Sequence, residues 1–322
     1  MPDNWQAIEL KHLRALRAVA HRRTFWAAAE SLHTSLSTVS DHVAALEALV
    51  GQRVIERSRG RRTVELTEAG RFLLGHAEAI ESRLAAAEAD FRAFAAGNAG
   101  TLRVGIYQSV ANKVLPEVMR RFKKRWPDVS ISVTETERDD EAVAGVERGE
   151  VDLAFGIEPL PEGPFEVRVL MRDPYVLVTS RTSPLGRRRR PSAEDLKGMP
   201  MVGYFHGRTT SIVEDFLLSR GVRPDVVFRS NDNGTVQGMV AAGVGVALVP
   251  LLAVDEKDTK VVLRVLVEPI PPRVLAVLWH RDRYRTPAAV AFVETAVGVA
   301  AEVERAHDAF LRSKTRAASI GA

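Results

Sequence analysis

The chain has 322 residues, 46% of them hydrophobic and 27% charged, an ordinary folded-protein balance in a length that calls for more than one domain. The absence of cysteine excludes a disulfide framework, a thiol nucleophile and a thiolate metal site. Lys+Arg 45 against Asp+Glu 41 leaves only +4, so local clusters rather than the total must reveal any acidic partner such as nucleic acid.

The clusters are Arg57-Arg59-Arg61-Arg62, Arg120-Arg121-Lys123-Lys124-Arg125 and Arg187 to Arg190. Taken alone, each reads as a solvated surface. No basic segment followed by an apolar run opens the chain, and no stretch reaches the length of a bilayer span. The expectation is a cytoplasmic protein without a membrane partner.

Leu10, Leu13, Leu16 and Val19 form one apolar stripe at helical spacing. Thr24 can cap a second, short helix through Ala27, Ala28 and Leu32. Ser35 can cap a third, with Val39, Val43, Leu46 and Leu49 on one face and Gly51 as its stop. Two helices and a tight turn leading into a longer helix predict a helix-turn-helix. Val54 to Leu66, interrupted by Arg59-Gly60-Arg61-Arg62, reads as a two-stranded wing with a basic tip. The start of the third helix offers Ser35, Ser37, Thr38, Ser40 and His42, side chains suited to phosphates and base edges.

From Thr67 the chain reads helical to near Gly97, with Phe72, His76, Ile80, Leu84, Ala87, Phe91 and Phe94 spaced by three or four. Such a seam suits either packing on its own domain or pairing with a second copy. A helix this long between two domains favours the dimer-forming linker, carried by Phe72, Ile80, Leu84, Ala87 and Phe91.

After Gly100 strands alternate with helices. The expected strands are Leu102 to Ile106, Val129 to Val133 and Val151 to Phe155, with helices from Asn112 to Trp126 and from Glu141 to Arg148. Beyond a Pro-rich loop come strands Tyr175 to Thr179, Met201 to Tyr204, Val226 to Arg229 and Val244 to Val249. Helices start at Ser211, within a capping box closed by Glu214, and at Thr235; Val274 to Trp279 is a late return strand. This succession predicts two α/β lobes with mostly parallel sheets, a cleft between them, and ligands at strand ends near helix N-termini.

The motifs resemble one family. Leu10-Lys11-His12-Leu13-Arg14, Thr24-Phe25 with Ala28-Ala29 and Leu32, Ser40 with Leu46-Glu47, Val54-Ile55-Glu56-Arg57 and Leu66-Thr67-Glu68-Ala69-Gly70 look like LysR-type transcription regulators. The resemblance continues through Leu102 to Gly105, Phe122 with Trp126-Pro127, Gly149-Glu150-Val151-Asp152-Leu153-Ala154 and Ala241 to Pro250. It implies an α/β protein with a winged helix-turn-helix over 1–66, a linker and dimerisation helix over 67–98, and an effector domain over 99–310. That domain would be two-lobed, like type 2 periplasmic binding proteins, with chain crossings near 172–176 and 270–278 and a disordered tail over 311–322.

By resemblance the partners are a pseudo-palindromic DNA operator, a small-molecule effector and the chain itself, as a dimer or dimer of dimers, with RNA polymerase a further candidate. The DNA-binding candidates are Thr24, Trp26, Ser35, Leu36, Ser37, Thr38, Ser40, His42, Arg57, Arg59, Arg61 and Arg62. Leu36 and Asp41 depart from the family's usual glutamine and basic residue, so its sequence preference does not transfer. Trp26 replaces a small hydroxyl residue and reads as a core anchor, with a backbone contact through its indole N–H as the alternative.

The effector-binding candidates sit at three strand-to-helix junctions: Gln108 and Ser109; His206, Arg208, Thr209 and Thr210; and Asn231 and Asn233. Each group could be merely a set of helix caps, the Asn231–Asn233 turn above all, but three such groups at three junctions make a polar pocket the better reading. One arginine beside helix N-termini favours an anionic effector. No P-loop, dinucleotide fingerprint, nucleophile elbow or metal-ligand cluster is present, so neither catalysis nor a cofactor is expected. The rival readings are an enzyme of similar fold, a transport-type solute-binding protein and a ligand-independent DNA-binding oligomer.

Overall fold

The computed structural model describes residues 4–56, 63–95, 100–136, 139–205 and 207–319. Contacts divide the chain into two units, Met1–Ala89 and Asp90–Ala322.

In the first unit, α1 (Leu10–Arg22), α2 (Phe25–Ser31) and α3 (Leu36–Val50) surround a core that includes Leu13, Leu16, Val19, Ala28, Val39, Val43 and Leu46. The predicted caps act as expected. Thr24 Oγ1 accepts from Ala27 N at 3.1 Å, Ser35 Oγ from Thr38 N at 3.1 Å, and Gly51 closes α3 at φ 70°. A short antiparallel pair follows, β1 (Ile55–Glu56) with β2 (Glu65–Leu66). Its tip, holding Arg57, Arg59, Arg61 and Arg62, lies outside the described residues.

The family-like Leu66-Thr67-Glu68-Ala69-Gly70 has a packing reason. Thr67 Oγ1 donates to Arg53 O at 2.7 Å and accepts from Gly70 N at 2.9 Å. A Cβ at Gly70 would lie 2.0 Å from Val54 O, so the start of α4 (Glu68–Ala95) can meet the wing only with glycine there. Glu47 secures the same corner by accepting from Val54 N at 2.9 Å and Ile55 N at 3.3 Å.

In the second unit, a five-stranded sheet has the order β4 (Ser130–Glu135), β3 (Thr101–Ile106), β5 (Leu153–Ile157), β12 (Arg273–His280), β6 (Phe165–Asp173). Of these only β12 runs against its neighbours, so the sheet is mostly parallel as expected. It is covered by α5 (Gln108–Lys113), α6 (Leu115–Arg125), α7 (Asp139–Arg148) and α11 (Pro287–Ser319). The expected helix from Asn112 to Trp126 is two helices: α5 ends at Lys113, and α6 starts at Leu115 with Pro116 in its first turn.

The second lobe holds β7 (Tyr175–Ser180) antiparallel to both β10 (Ala247–Pro250) and β11 (Val261–Arg264), contrary to the parallel sheet expected there, because β10 and β11 return alongside β7 in the opposite sense; β8 (Pro200–Gly203) is parallel to β9 (Asp225–Arg229). Around them lie α8 (Pro184–Arg187), α9 (Arg208–Ser219) and α10 (Asn233–Ala241). Gly245 permits a close approach here, since a Cβ would stand 2.4 Å from Pro200 O. The chain leaves the first lobe at Asp173 and re-enters it at Arg273, which pair as strand neighbours.

Three further expectations are corrected. β6 and β11 are strands that the sequence reading left out. The capping box at Ser211 does not form, because α9 starts at Arg208; Ser211 Oγ instead donates to Gly207 O at 3.2 Å and Glu214 accepts from Arg229 Nη2 at 2.8 Å. The segment 311–322, expected to be disordered, is helical through Ser319 as the end of α11.

Candidate functional site

The exposed face of α3 is a stripe at helical spacing: Leu36, Ser37, Ser40, Asp41 and Ala44, opposite buried Val39, Val43 and Leu46. Ser35 Oγ lies 2.7 Å from Ser37 Oγ and 2.8 Å from Thr38 Oγ1, so three candidate hydroxyls form one cluster at the start of the helix. Thr24 is occupied as the cap of α2. His42 is half-buried, its ring edge-on to buried His12 at 5.8 Å. Trp26 is 66% exposed, which overturns the core-anchor reading of that residue.

One face of the linker helix α4 packs on its own domain. Leu73 and Ala77 are buried in the core of the first unit, and Glu81 is buried against Arg17, with Arg14 at 3.9 Å. The adjacent stripe stays open: Phe72, Ile80, Leu84 and Phe91 are large exposed apolar residues, and Ala87 is exposed between them.

In the second unit a cleft is lined by residues of both lobes. Gln108, Ser109, Arg208, Thr209, Thr210, Asn231 and Asn233 all reach it, so the three predicted junctions do converge. His206 lies outside the described residues. The sequence reading missed Tyr107, Glu135, Thr136, Ile157, Tyr204, Phe205, Ala253 and Arg273. Only their position at strand ends could have signalled them, and Arg273 sits at the start of a strand taken as a mere return.

Hydrogen bonds assign these side chains distinct tasks. Gln108 crosses between the lobes: its Oε1 accepts from Asn233 N at 2.7 Å and its Nε2 donates to Asp232 Oδ2 at 2.8 Å. Asp232 caps α10, and bonds from Thr235, then Gln108, hold its carboxyl below the usual range. Tyr204 donates to Asn233 Oδ1 at 2.9 Å, and burial pushes its phenol far up, so it remains a donor. Phe205 N donates to Asn231 Oδ1 at 3.3 Å, and Thr210 Oγ1 donates to Phe205 O at 2.5 Å.

Below these, Arg273 Nη2 donates to Ser109 Oγ at 2.9 Å while its Nε donates to Asp173 Oδ2 at 2.9 Å. Arg273 is 5% exposed and Asp173 0%. A buried guanidinium is tolerable only with such a partner. The positive charge of Arg273 is therefore balanced by Asp173. Arg208 opens α9, whose N-cap Gly207 has no side chain to bond the first turn. The first-turn N–H groups of α9 and the Arg208 side chain together favour a negative group at this end of the cleft. Among the described residues there is no cluster of acidic, histidine or cysteine side chains able to hold a metal, and no helix long and apolar enough to cross a membrane.

Comparison with known proteins matches these two regions to two family models. Residues 10–71 match the bacterial regulatory helix-turn-helix protein, lysR family, and residues 95–301 match the LysR substrate binding domain. A probable hydrogen peroxide-inducible genes activator of Mycobacterium avium is 31% identical over 293 residues, 88% of this chain and 92% of that protein. The HTH-type transcriptional regulator AlsR of Bacillus subtilis is 28% identical over 248 residues, 76% of this chain and 80% of AlsR. Among solved structures, CbnR, a LysR family transcriptional regulator, aligns with a TM-score of 0.65 at 22% identity, covering 91% of this chain and 99% of CbnR. A second structure with the same TM-score holds full-length CbnR with its target DNA. The chain therefore belongs to the LysR-type family of DNA-binding transcription regulators, with an N-terminal helix-turn-helix and a C-terminal domain for small-molecule effectors.

Proposed function

We propose that this protein reads a pseudo-palindromic operator as a dimer and changes its output when a small anionic effector enters the interlobe cleft. The observation that carries the effector reading is the convergence of the starts of α5, α9 and α10 on one cleft, with Arg208 at the uncapped end of α9. The stripe Leu36, Ser37 and Ser40, with Thr38 and Ser35 at its head, faces base edges; Trp26 and the wing arginines Arg57, Arg59, Arg61 and Arg62 meet the backbone. Leu36 supports an apolar contact, such as a thymine methyl, in place of a hydrogen bond.

The open seam Phe72, Ile80, Leu84, Ala87 and Phe91 supports dimerisation through α4. A dimer of dimers, contact with RNA polymerase and a cytoplasmic location complete the reading. The relatives are transcription regulators and not enzymes, in keeping with a role by binding alone.

The experiment is a thermal-shift screen of small organic acids and their neutral amides, followed by gel-shift titration with the hits. A ligand specific to the folded state raises the melting temperature by mass action. Carboxylates should do so and their amides should not. Neutral compounds shifting the protein as strongly as acids would overturn the anionic reading.

A further inference from the structure

The strand β6 ends the five-stranded sheet, and among the described residues its outer edge is unpaired over one short window. Arg281 N donates to Pro164 O at 2.7 Å, which fixes the alternation along β6: Pro164, Glu166 and Arg168 turn their backbone groups to β12. Phe165, Val167 and Val169 therefore turn theirs outward. Phe165 O takes only a long 3.4 Å bond from Arg281 Nη2. Past Val169 the strand carries an irregularity, and Arg172 N is taken at 2.8 Å by Glu304 of α11. The open window is thus Phe165 to Val169, with Val167 at its centre.

This window is unguarded in an unusual way. Its four residues from Glu166 to Val169 are all exposed, Val167 at 42% and Val169 at 50%. Edge strands are ordinarily blunted by charge, and two copies carrying one sign of charge would repel. Here Glu166 and Arg168 stand at equal distances on either side of Val167, so two copies related by a two-fold axis through Val167 bring opposite charges together.

We propose that β6 pairs antiparallel with β6 of a second copy, joining two five-stranded sheets edge to edge. Val167 then faces its own equivalent in a hydrogen-bonded pair, and Phe165 faces Val169 of the second copy. Glu166 faces Arg168 of the second copy in the intervening non-hydrogen-bonded pair, where opposite side chains lie closest. Glu166 is held ready, since its Oε2 accepts from Trp279 Nε1 at 2.9 Å. On the other face, Val169 of the second copy lies over a surface hollow lined by Pro159, Leu160, Phe165, Val167 and Val274. This contact does not use the α4 seam.

The cysteine-free chain makes the test direct. In the full-length protein, Val167→Cys should give a disulfide-linked dimer on mild oxidation, because opposite residues of such a pair stand about 5.5 Å apart at Cα, within the reach of a disulfide. It should form at least about tenfold faster than with Tyr284→Cys, an exposed control. The same cross-link should survive in the Ile80→Asp with Leu84→Asp background, which separates this surface from the α4 seam. Arg168→Glu leaves the Trp279 bond intact and should slow cross-linking about tenfold. Adding Glu166→Arg to it restores opposite charges and should recover the rate. Circular dichroism and the melting temperature of each variant show that the fold is kept. Cross-linking no faster than the control, or indifferent to the charge reversal in folded protein, overturns the proposal.

Discussion

Arg273 and Asp173 face each other at the two points where the chain passes between the lobes of the effector domain, joined by a 2.9 Å hydrogen bond in a buried site. Asp173 Oδ1 also accepts from Leu252 N at 3.1 Å, tying the crossover to the segment after β10. Asp173→Asn would leave the guanidinium buried without its counter-charge. The expected loss is about 3–5 kcal/mol, typical of breaking a buried pair from one side. Urea unfolding of the effector domain measures it, and a loss below about 1 kcal/mol would mean that water reaches the pair.

Gly70 carries a separate prediction in the first unit. Its absent Cβ leaves room for Val54 O, which an added methyl would approach to 2.0 Å. Gly70→Ala must push the start of α4 away from the wing. Overpacking of this kind costs about 1–3 kcal/mol, and more where backbone must shift. DNA affinity should fall with stability, because the wing moves with the corner that Thr67 and Glu47 hold. Wild-type melting and wild-type gel shifts together would show that the corner yields freely.

The first unit was legible because its caps are local. Thr24, Ser35 and Gly51 act on groups within four residues of themselves, and such signals survive in sequence. The convergence of the three cleft junctions was legible too, since ligand sites in open α/β sheets follow strand ends. What escaped was set by tertiary contact. Arg273 becomes a cleft residue only because Asp173, a hundred positions away, neutralises it there. Gln108 was expected to bind ligand, yet in the structure its amide grips the start of α10. The strand β6 was hidden because its exposed middle alternates charge with valine, a pattern without the apolar run of a central strand. Helix α11 did leave a trace that went unread: Ala289, Phe292, Val293, Ala296, Val299 and Ala300 repeat at helical spacing and are all buried.

His307 predicts a pH dependence. It projects from α11 with Nδ1 at 3.4 Å from Asp173 Oδ1. Burial pushes its imidazole below the usual range; the opposing pull of Asp173 and Glu256 is weaker, and Arg273 and Lys113 push the same way as burial. The folded protein thus holds His307 neutral where the unfolded chain would bind a proton. Stability should be fully present above pH about 6.5, the ordinary histidine value, and fall as the pH drops below it. His307→Asn should flatten the melting temperature between pH 7 and pH 5 relative to wild type. An identical slope in the two proteins would assign the acid sensitivity to other groups.

The last prediction separates the two arginines of the cleft. Arg208 stands in the first turn of α9, whose N-cap Gly207 makes no side-chain bond, and Arg273 is held by Asp173 and Ser109. For an acid found by thermal shift, Arg208→Ala should weaken binding by roughly 2–3 kcal/mol, about 30- to 150-fold, through loss of a charge-assisted bond. It should cost the free protein no more than about 1 kcal/mol in unfolding, the range of a partly exposed charged contact. Ser109→Ala should do the reverse. Its hydroxyl accepts from buried Arg273, so its removal strands a donor at a cost of about 1–3 kcal/mol in stability. Its effect on affinity should stay near tenfold or less. Calorimetric titration and urea unfolding on both variants give the four numbers needed. If Ser109→Ala abolishes binding while stability is unchanged, Ser109 and not Arg208 is the principal contact, and Arg273 must release it when the effector arrives. DNA affinity without effector should be the same in both variants, because a ligand shifts a conformational equilibrium only by its different affinity for the two states.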